Sequence, residues 1–255
     1  MSNASFIDFQ GKYVVVSGAT SGIGRAICIQ LKNMQAMPVL VGRDIEKLRR
    51  MGSELDLKED CLLCIDLTDH KSVQPRLIEL SKKVGRIYGF CHSAGTVETR
   101  PLNACSSDSI TKIMDLNLTA GIEMTRTLCR RDVMEEAGGS VLFISSIYGV
   151  IGMAGEIAYS ASKGAVIAAA RTMAIELARR RIRVNSLSPG FVKTPMTESA
   201  FSLLPEKYRK DIEDLHPLGT GTPEDVARAA IFLLAPQNSW ITGINLIIDG
   251  GFTAR

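Results

Sequence analysis

The chain contains no run approaching the roughly 20 apolar residues that span a bilayer, and its N-terminus lacks a basic segment followed by an apolar one. Both absences predict a cytoplasmic protein with no membrane partner. An excess of one charge is also missing: 30 basic residues stand against 27 acidic ones, and a net charge of +3 is too mild for a nucleic-acid surface. The longest basic cluster, Arg179-Arg180-Arg181, falls where a helix should end, and cations there complement the helix dipole. With no linker rich in Pro, Gly or Ser, no charge block and no internal repeat, residues 1–255 read as one domain with a large core. The six cysteines lie mostly in apolar runs and read as reduced core residues, not as a disulfide framework. Cys61-Leu-Leu-Cys64 has redox-motif spacing, but it reads as a buried strand, where three-residue spacing turns the side chains to opposite faces. No metal site is expected.

What is present is an alternation. Apolar runs of strand length recur at 13–17, 38–42, 61–65, 87–92, 140–145, 182–188 and 244–248. Helical stretches separate them: from Gly22, then 44–55, 69–83, 107–134, 156–180 and 223–235, the last opened by Thr222-Pro223 as cap and first helical residue. Alternating strands and helices predict right-handed crossovers and a doubly wound parallel α/β sheet of about seven strands, Rossmann-like, with helices on both faces. The stretch 158–175 is apolar or small around nearly its whole circumference, so one face suits the sheet and the other predicts a subunit contact. Residues 191–221 read as irregular, carry Met196, Phe201, Leu203, Leu204 and Tyr208, and suit a substrate lid.

Three local patterns carry chemistry. Gly18, Gly22 and Gly24 lie between a strand and a helix, where backbone amides and the helix N-terminus meet a pyrophosphate. After the second strand, Gly42-Arg43 places an arginine where a ribose-binding carboxylate would otherwise stand. Arg43 suits a 2′-phosphate, so NADP is expected over NAD; a solvated arginine in a turn is the plain alternative. Asp66, ending the third strand, suits an adenine amino group or a turn cap. Finally, Tyr159 and Lys163 are one helical turn apart on one face, with Ser146 thirteen residues before the tyrosine. A phenol paired with an ammonium makes an acid–base catalyst.

Together these motifs resemble the short-chain dehydrogenases/reductases of the single-domain type. Ser17-Gly-Ala-Thr-Ser-Gly-Ile-Gly24 resembles the family's cofactor motif, His92-Ser-Ala-Gly95 its Asn-Asn-Ala-Gly, and Tyr159-Ser-Ala-Ser-Lys163 its Tyr-x-x-x-Lys. Ser188-Pro-Gly-Phe-Val-Lys-Thr-Pro-Met196 and Ile248-Asp-Gly-Gly-Phe252 resemble later signatures, so the likeness spans almost the whole chain. The resemblance implies a tetrad of Asn117, Ser146, Tyr159 and Lys163. It also implies cofactor contacts from Gly18, Ser21, Gly22, Ile23, Gly24, Arg43, Asp66, Leu67, Ala94, Gly95, Tyr159, Lys163, Pro189, Gly190, Val192 and Thr194. Tyr159 is expected to protonate a carbonyl oxygen, Ser146 to hydrogen-bond it, and Lys163 to hydrogen-bond the nicotinamide ribose and, together with the positive charge of the oxidised ring, to lower the tyrosine pKa from about 10 toward 7, worth roughly 4 kcal/mol. By the same likeness, Asn117 kinks its helix and holds a relay water. The thirteen-residue spacing favours Ser146 over Ser145. Within the family the ending is most like 3-oxoacyl-[acyl-carrier-protein] reductases, which implies ketone reduction in a homotetramer or homodimer; polyol or hydroxysteroid oxidation with NAD, or a non-catalytic regulator, are the alternatives. Met153, Glu156, Met196, Phe201 and Leu204 are expected at the substrate pocket. His92-Ser93 departs from the family pair, leaving open whether His92 replaces the lost amide or touches substrate.

Overall fold

Strand residues alternate between two cores. In the computed structural model, which describes residues 7–195, 197–198 and 206–254, Val14, Val16, Leu40, Cys91, Leu142 and Leu187 enter one cluster, and Val15, Val39, Val41, Phe90, Phe143 and Val184 enter another. That is the period-two consequence of a pleated chain buried on both sides. The strands are β1 (Tyr13–Ser17), β2 (Met37–Gly42), β3 (Leu62–Cys64), β4 (Ile87–His92), β5 (Gly139–Ile144), β6 (Ile182–Pro189) and β7 (Asn245–Ile248). They form one parallel sheet in the order β3-β2-β1-β4-β5-β6-β7. The first core is closed by α1 (Gly22–Asn33), α2 (Ile45–Glu54) and α8 (Pro223–Leu234), the second by α3 (His70–Val84), α5 (Ala120–Leu128) and α6 (Ile157–Leu177). Two further α-helices are α4 (Ser107–Met114) and α7 (Glu206–Asp214).

Chain order reverses direction across the sheet between β1 and β4. The crossovers diverge there, and a crevice opens outside the carboxyl ends of the strands.

Several elements depart from the sequence reading. The stretch 107–134 is not one helix: α4 passes through a π-helical turn at Asp115–Thr119 into α5, which stops at Leu128. Beyond it the chain folds back, so that buried Val133 and Met134 cover the start of β4 and Ile87 donates to the Val133 carbonyl. An apolar run that serves a turn looks helical until its tertiary partner is known. The segment 191–221 is not wholly irregular, since Glu206–Asp214 is helical. Its run of Glu, Lys, Arg and Asp carries good helix formers but few apolar residues, so hydrophobic periodicity was faint. Met196, Phe201, Leu203, Leu204 and the side chain of Tyr208 lie outside the described residues.

His216 fastens this segment at its base. Its Nδ1 donates to the Ile212 carbonyl at 2.7 Å, and its Nε2 accepts from the Phe191 amide at 3.1 Å.

Candidate active site

The glycine turn after β1 is closed by contacts only glycine permits. A Cβ on Gly24 would stand 2.3 Å from the Gly18 carbonyl oxygen, and one on Gly18 would stand 2.9 Å from the Ala94 amide. Close approach of helix, turn and the β4 loop is therefore built in. α1 begins there with extended Ser21 at its cap, no side-chain cap bond and no acidic residue in the first turn. Its leading amides thus keep their hydrogen-bonding capacity and positive dipole end for an anion.

A cleft of about 960 Å³ runs from this turn along the carboxyl ends of the strands. Its walls include Gly18, Ser21, Gly22, Ile23, Arg43, Asp66, Leu67, Ala94, Gly95, Ser146, Tyr159, Lys163, Pro189, Gly190, Val192 and Thr194. Of the residues singled out in the sequence, Gly24, His92 and Asn117 stand behind the wall, and Met153 and Glu156, expected at the substrate pocket, do not line this cleft. Gly24 lets the turn close, and Asn117 is fully buried in the π-helical turn. The volume, the uncapped helix and the absent Cβ atoms fit a dinucleotide.

At the adenosine end, Arg43 is exposed on the rim, while the following Asp44 is spent on capping α2, accepting from the amides of Glu46 and Lys47 at 3.1 Å. No carboxylate is therefore left free at the end of β2 to meet a ribose hydroxyl. Asp66 does cap its turn, with Oδ1 accepting from the Thr68 amide and hydroxyl at 3.0 and 2.8 Å, yet it still lines the cleft. Those bonds, with Arg43 nearby, hold its carboxyl below the usual range.

At the other end, β5 delivers two serines with different fates. Ser145 donates to the Lys163 carbonyl at 2.9 Å and so fastens α6 to the sheet. Ser146 opens the next turn, its hydroxyl accepting from the Tyr148 amide at 3.2 Å, and lies close enough to Tyr159 to oppose the rise of its pKa. Lys163 is buried and donates to the Ile144 carbonyl at 2.9 Å, with its ammonium 5.5 Å from the Tyr159 ring centre. Burial moves the two groups in opposite directions: Lys163 falls to about 8 and Tyr159 is pushed up to about 12. The expected fall of the tyrosine toward 7 is not found in the protein alone. Desolvation of the phenolate outweighs the lowering influence of Ser146, and Glu156 and Tyr148 raise the pKa further.

Asn117 is tied on all sides. Its Oδ1 accepts from the Thr96 amide at 2.8 Å, and its Nδ2 donates to the Thr96 carbonyl at 2.9 Å and the Ser162 hydroxyl at 3.0 Å. Both amide hydrogens join the β4 loop to α6.

His92 replaces the amide expected at its position. Its Nε2 donates to the Leu116 carbonyl at 3.1 Å, and its Nδ1 accepts from the Ser17 hydroxyl at 2.9 Å. That hydroxyl accepts in turn from the amides of Ser93 and Ala94, each at 3.2 Å. Burial and the charge of Lys163 hold the imidazole down at about 4, so it is neutral and bridges β1, β4 and the π-helical turn.

The sequence reading missed Thr20, Thr96, Thr111, Lys112, Asp115 and Thr197, which also line the cleft. Thr20 lay inside the glycine motif and was legible there. Thr111, Lys112 and Asp115 reach the cleft only through the packing of α4, for which no local signal exists.

Comparison with known proteins agrees with this geometry. A family model described as Enoyl-(Acyl carrier protein) reductase matches residues 18–253. The chain is 35% identical to the 3-oxoacyl-[acyl-carrier-protein] reductase FabG of Rickettsia felis, covering 96% of this chain and 98% of that one. It is 31% identical to an NAD-dependent glycerol dehydrogenase of Listeria innocua, over 96% of this chain and 94% of the relative. A solved short-chain type dehydrogenase/reductase from Mycobacterium ulcerans superposes with a TM-score of 0.89 at 29% identity, covering 98% of this chain and 92% of that one.

Proposed function

Because the chain belongs to the short-chain dehydrogenase/reductase family and is therefore an NAD(P)-dependent oxidoreductase, we propose that it reduces a ketone to a secondary alcohol with NADPH. The observation that carries this reading is the meeting of Ser146, Tyr159 and Lys163 at one end of a cleft whose other end is the glycine turn and the uncapped α1. When bound there, the nicotinamide supplies the hydride and, once oxidised, a positive charge that favours phenolate. Tyr159, protonated across the neutral range with its pKa near 12, is the proton donor to the carbonyl oxygen. Ser146 hydrogen-bonds the same oxygen and resists the negative charge that builds on it. Lys163, with one N–H given to the Ile144 carbonyl, would hold the sugar beside the nicotinamide through its remaining N–H groups, while Asn117 holds α6 and the β4 loop in register.

Arg43, with Asp44 withdrawn into its helix cap, supports NADP as the preferred cofactor. Arg43→Ala is expected to weaken NADPH binding about 10- to 100-fold and to leave NADH nearly unaffected.

The relatives support both a 3-oxoacyl thioester and a small polyol as the substrate of this chain. The glycerol dehydrogenase favours a second reading, alcohol oxidation with NAD. A partly apolar face of α6 stays open in the single chain, with Ala161, Ala168 and Ile175 exposed, and it supports a homodimer or homotetramer. Initial rates of NADPH and NADH oxidation with thioesters, diketones and cyclic ketones test the proposal. Turnover with NADPH that falls by about 100-fold or more in Tyr159→Phe supports it. Tight NADPH binding without turnover in either direction points to a regulator instead.

A further inference from the structure

Asp115 opens the π-helical turn and lines the cleft, with 34% of its side chain exposed. Its Oδ1 accepts from His70 Nε2 at 2.5 Å. His70 is the first residue of α3 and follows directly on the Asp66–Asp69 turn, whose Asp66, Leu67 and Thr68 line the same cleft. The bond therefore sets Asp115 beside the adenosine end, where Arg43 and Asp66 already stand. The other ring nitrogen of His70, Nδ1, is buried without a hydrogen-bond partner among the described residues. A buried polar atom left so costs stability, and the bond this ring does make is the one that aims Asp115.

Asp115 Oδ2 makes no hydrogen bond among the described residues. Lys112, one turn earlier, also lines the cleft, but no ion pair joins it to Asp115. An ionised carboxylate accepts hydrogen bonds and donates none, so Oδ2 takes a donor from whatever fills the cleft. A dinucleotide offers few at this end. Its phosphates are anionic and suit the glycine turn and Arg43, and its ribose hydroxyls lie on the side that Arg43 serves. The remaining donor is the exocyclic amino group of the base. Ile65 and Leu67, on either side of Asp66, supply apolar surface for the faces of a purine. Asp66 itself has committed Oδ1 to Thr68.

We propose that Asp115, held by His70, accepts a hydrogen bond from the 6-amino group of the cofactor's adenine, so that the cleft selects a 6-aminopurine over a 6-oxopurine. A 6-oxo group sets a carbonyl oxygen against the carboxylate, a repulsion in place of a bond. His70, which acts through Asp115, is a positioning residue. The proposal rests on the binding of a nicotinamide dinucleotide in the cleft, and is independent of the ketone and of the 2′-phosphate.

The test is a fluorescence titration that gives Kd for NADPH and for its 6-oxo analogue, reduced nicotinamide hypoxanthine dinucleotide phosphate, with the pair lacking the 2′-phosphate in parallel. The wild type is expected to bind the adenine form about 10-fold or more tightly, the scale of one hydrogen bond to a charged group. In Asp115→Asn, His70 still holds Oδ1 and so turns the amide Nδ2 to the cleft, where it donates to a 6-oxo group and not to a 6-amino one. This variant should bring the ratio to about one or invert it, with a gain in affinity for the 6-oxo analogue that loss of structure does not produce. His70→Phe, which removes the bond that aims the carboxylate, should lower the ratio by about threefold or more. Equal affinity of the wild type for both bases overturns the assignment. So does an unchanged ratio in Asp115→Asn, or an equal loss on both bases, which would mark Asp115 as a clasp between α3 and the π-helical turn. Failure of the wild type to bind any of the four dinucleotides overturns the cofactor reading and this one with it.

Discussion

Two buried bases set the pH response at the scale of single residues. His92 has a folded pKa near 4 against 6.5 when free, so between these values the unfolded chain binds a proton that the folded chain does not. Stability should therefore be complete above pH 6.5 and fall on acidification toward pH 4, by at most about 3 kcal/mol. Urea midpoints at several pH values should show this slope, and His92→Asn should flatten it. Lys163 works in the same sense at higher pH: with a folded pKa near 8 against 10.5 when free, it burdens the fold while charged, and stability rises as pH climbs from 8 to 10.5. Lys163→Met should raise the pH 7 stability by about 1–3 kcal/mol while abolishing activity, a comparison that thermal melts and rates settle together. A residue retained against the interest of stability is evidence of use.

Helix ends decide much at the scale of elements. Arg183 on β6 is buried, and its guanidinium donates to the carbonyls of Leu233, Leu234, Ala235 and Ile241 at 2.7 to 3.2 Å. Tyr88 and Ser140 add hydroxyls to Leu234 and Leu233 at 2.8 and 3.2 Å. The negative end of the α8 dipole is thus neutralised from inside the sheet, which makes a buried cation tolerable. Arg183→Met should cost about 2–4 kcal/mol, read as a lower urea midpoint, because several carbonyls lose a charged donor at once. Nothing in Ile-Arg-Val-Asn announced this role. The Arg179–Arg181 cluster at the end of α6 was legible as a helix terminus, but the bond Arg180 makes is to the Cys129 carbonyl that follows α5. Both arginines thus reach a helix end some fifty residues away, which only the tertiary structure supplies.

The exposed face of α6 is the feature of consequence at the scale of the whole molecule. Its inner residues Ala158, Val166, Ile167, Ala170 and Ala174 are buried, whereas Ile175 is 80% exposed, so the uniform apolarity of the helix exceeds what the sheet consumes. Sedimentation at micromolar concentration should give a dimer or tetramer. Ile175→Glu should shift it toward monomer without lowering the helical content, since the residue is solvent-exposed in the isolated chain. A wild-type monomer would remove the argument.

The sequence alone determined the strand count, the sheet type and about half of the cleft wall, because these follow from local rules. Period-two runs, a glycine turn between strand and helix, and a four-residue spacing on one helical face are all written within short stretches. Only the tertiary structure decided the rest. It decided that His92 bridges β1 to the π-helical turn, that Asp44 is withdrawn from the ribose position, and that Tyr159 rests near 12 in the protein alone. It also decided that His70 holds Asp115 at the cleft wall. Hydrogen-bond satisfaction and desolvation depend on which distant groups arrive at a point in space, and no local pattern encodes that arrival.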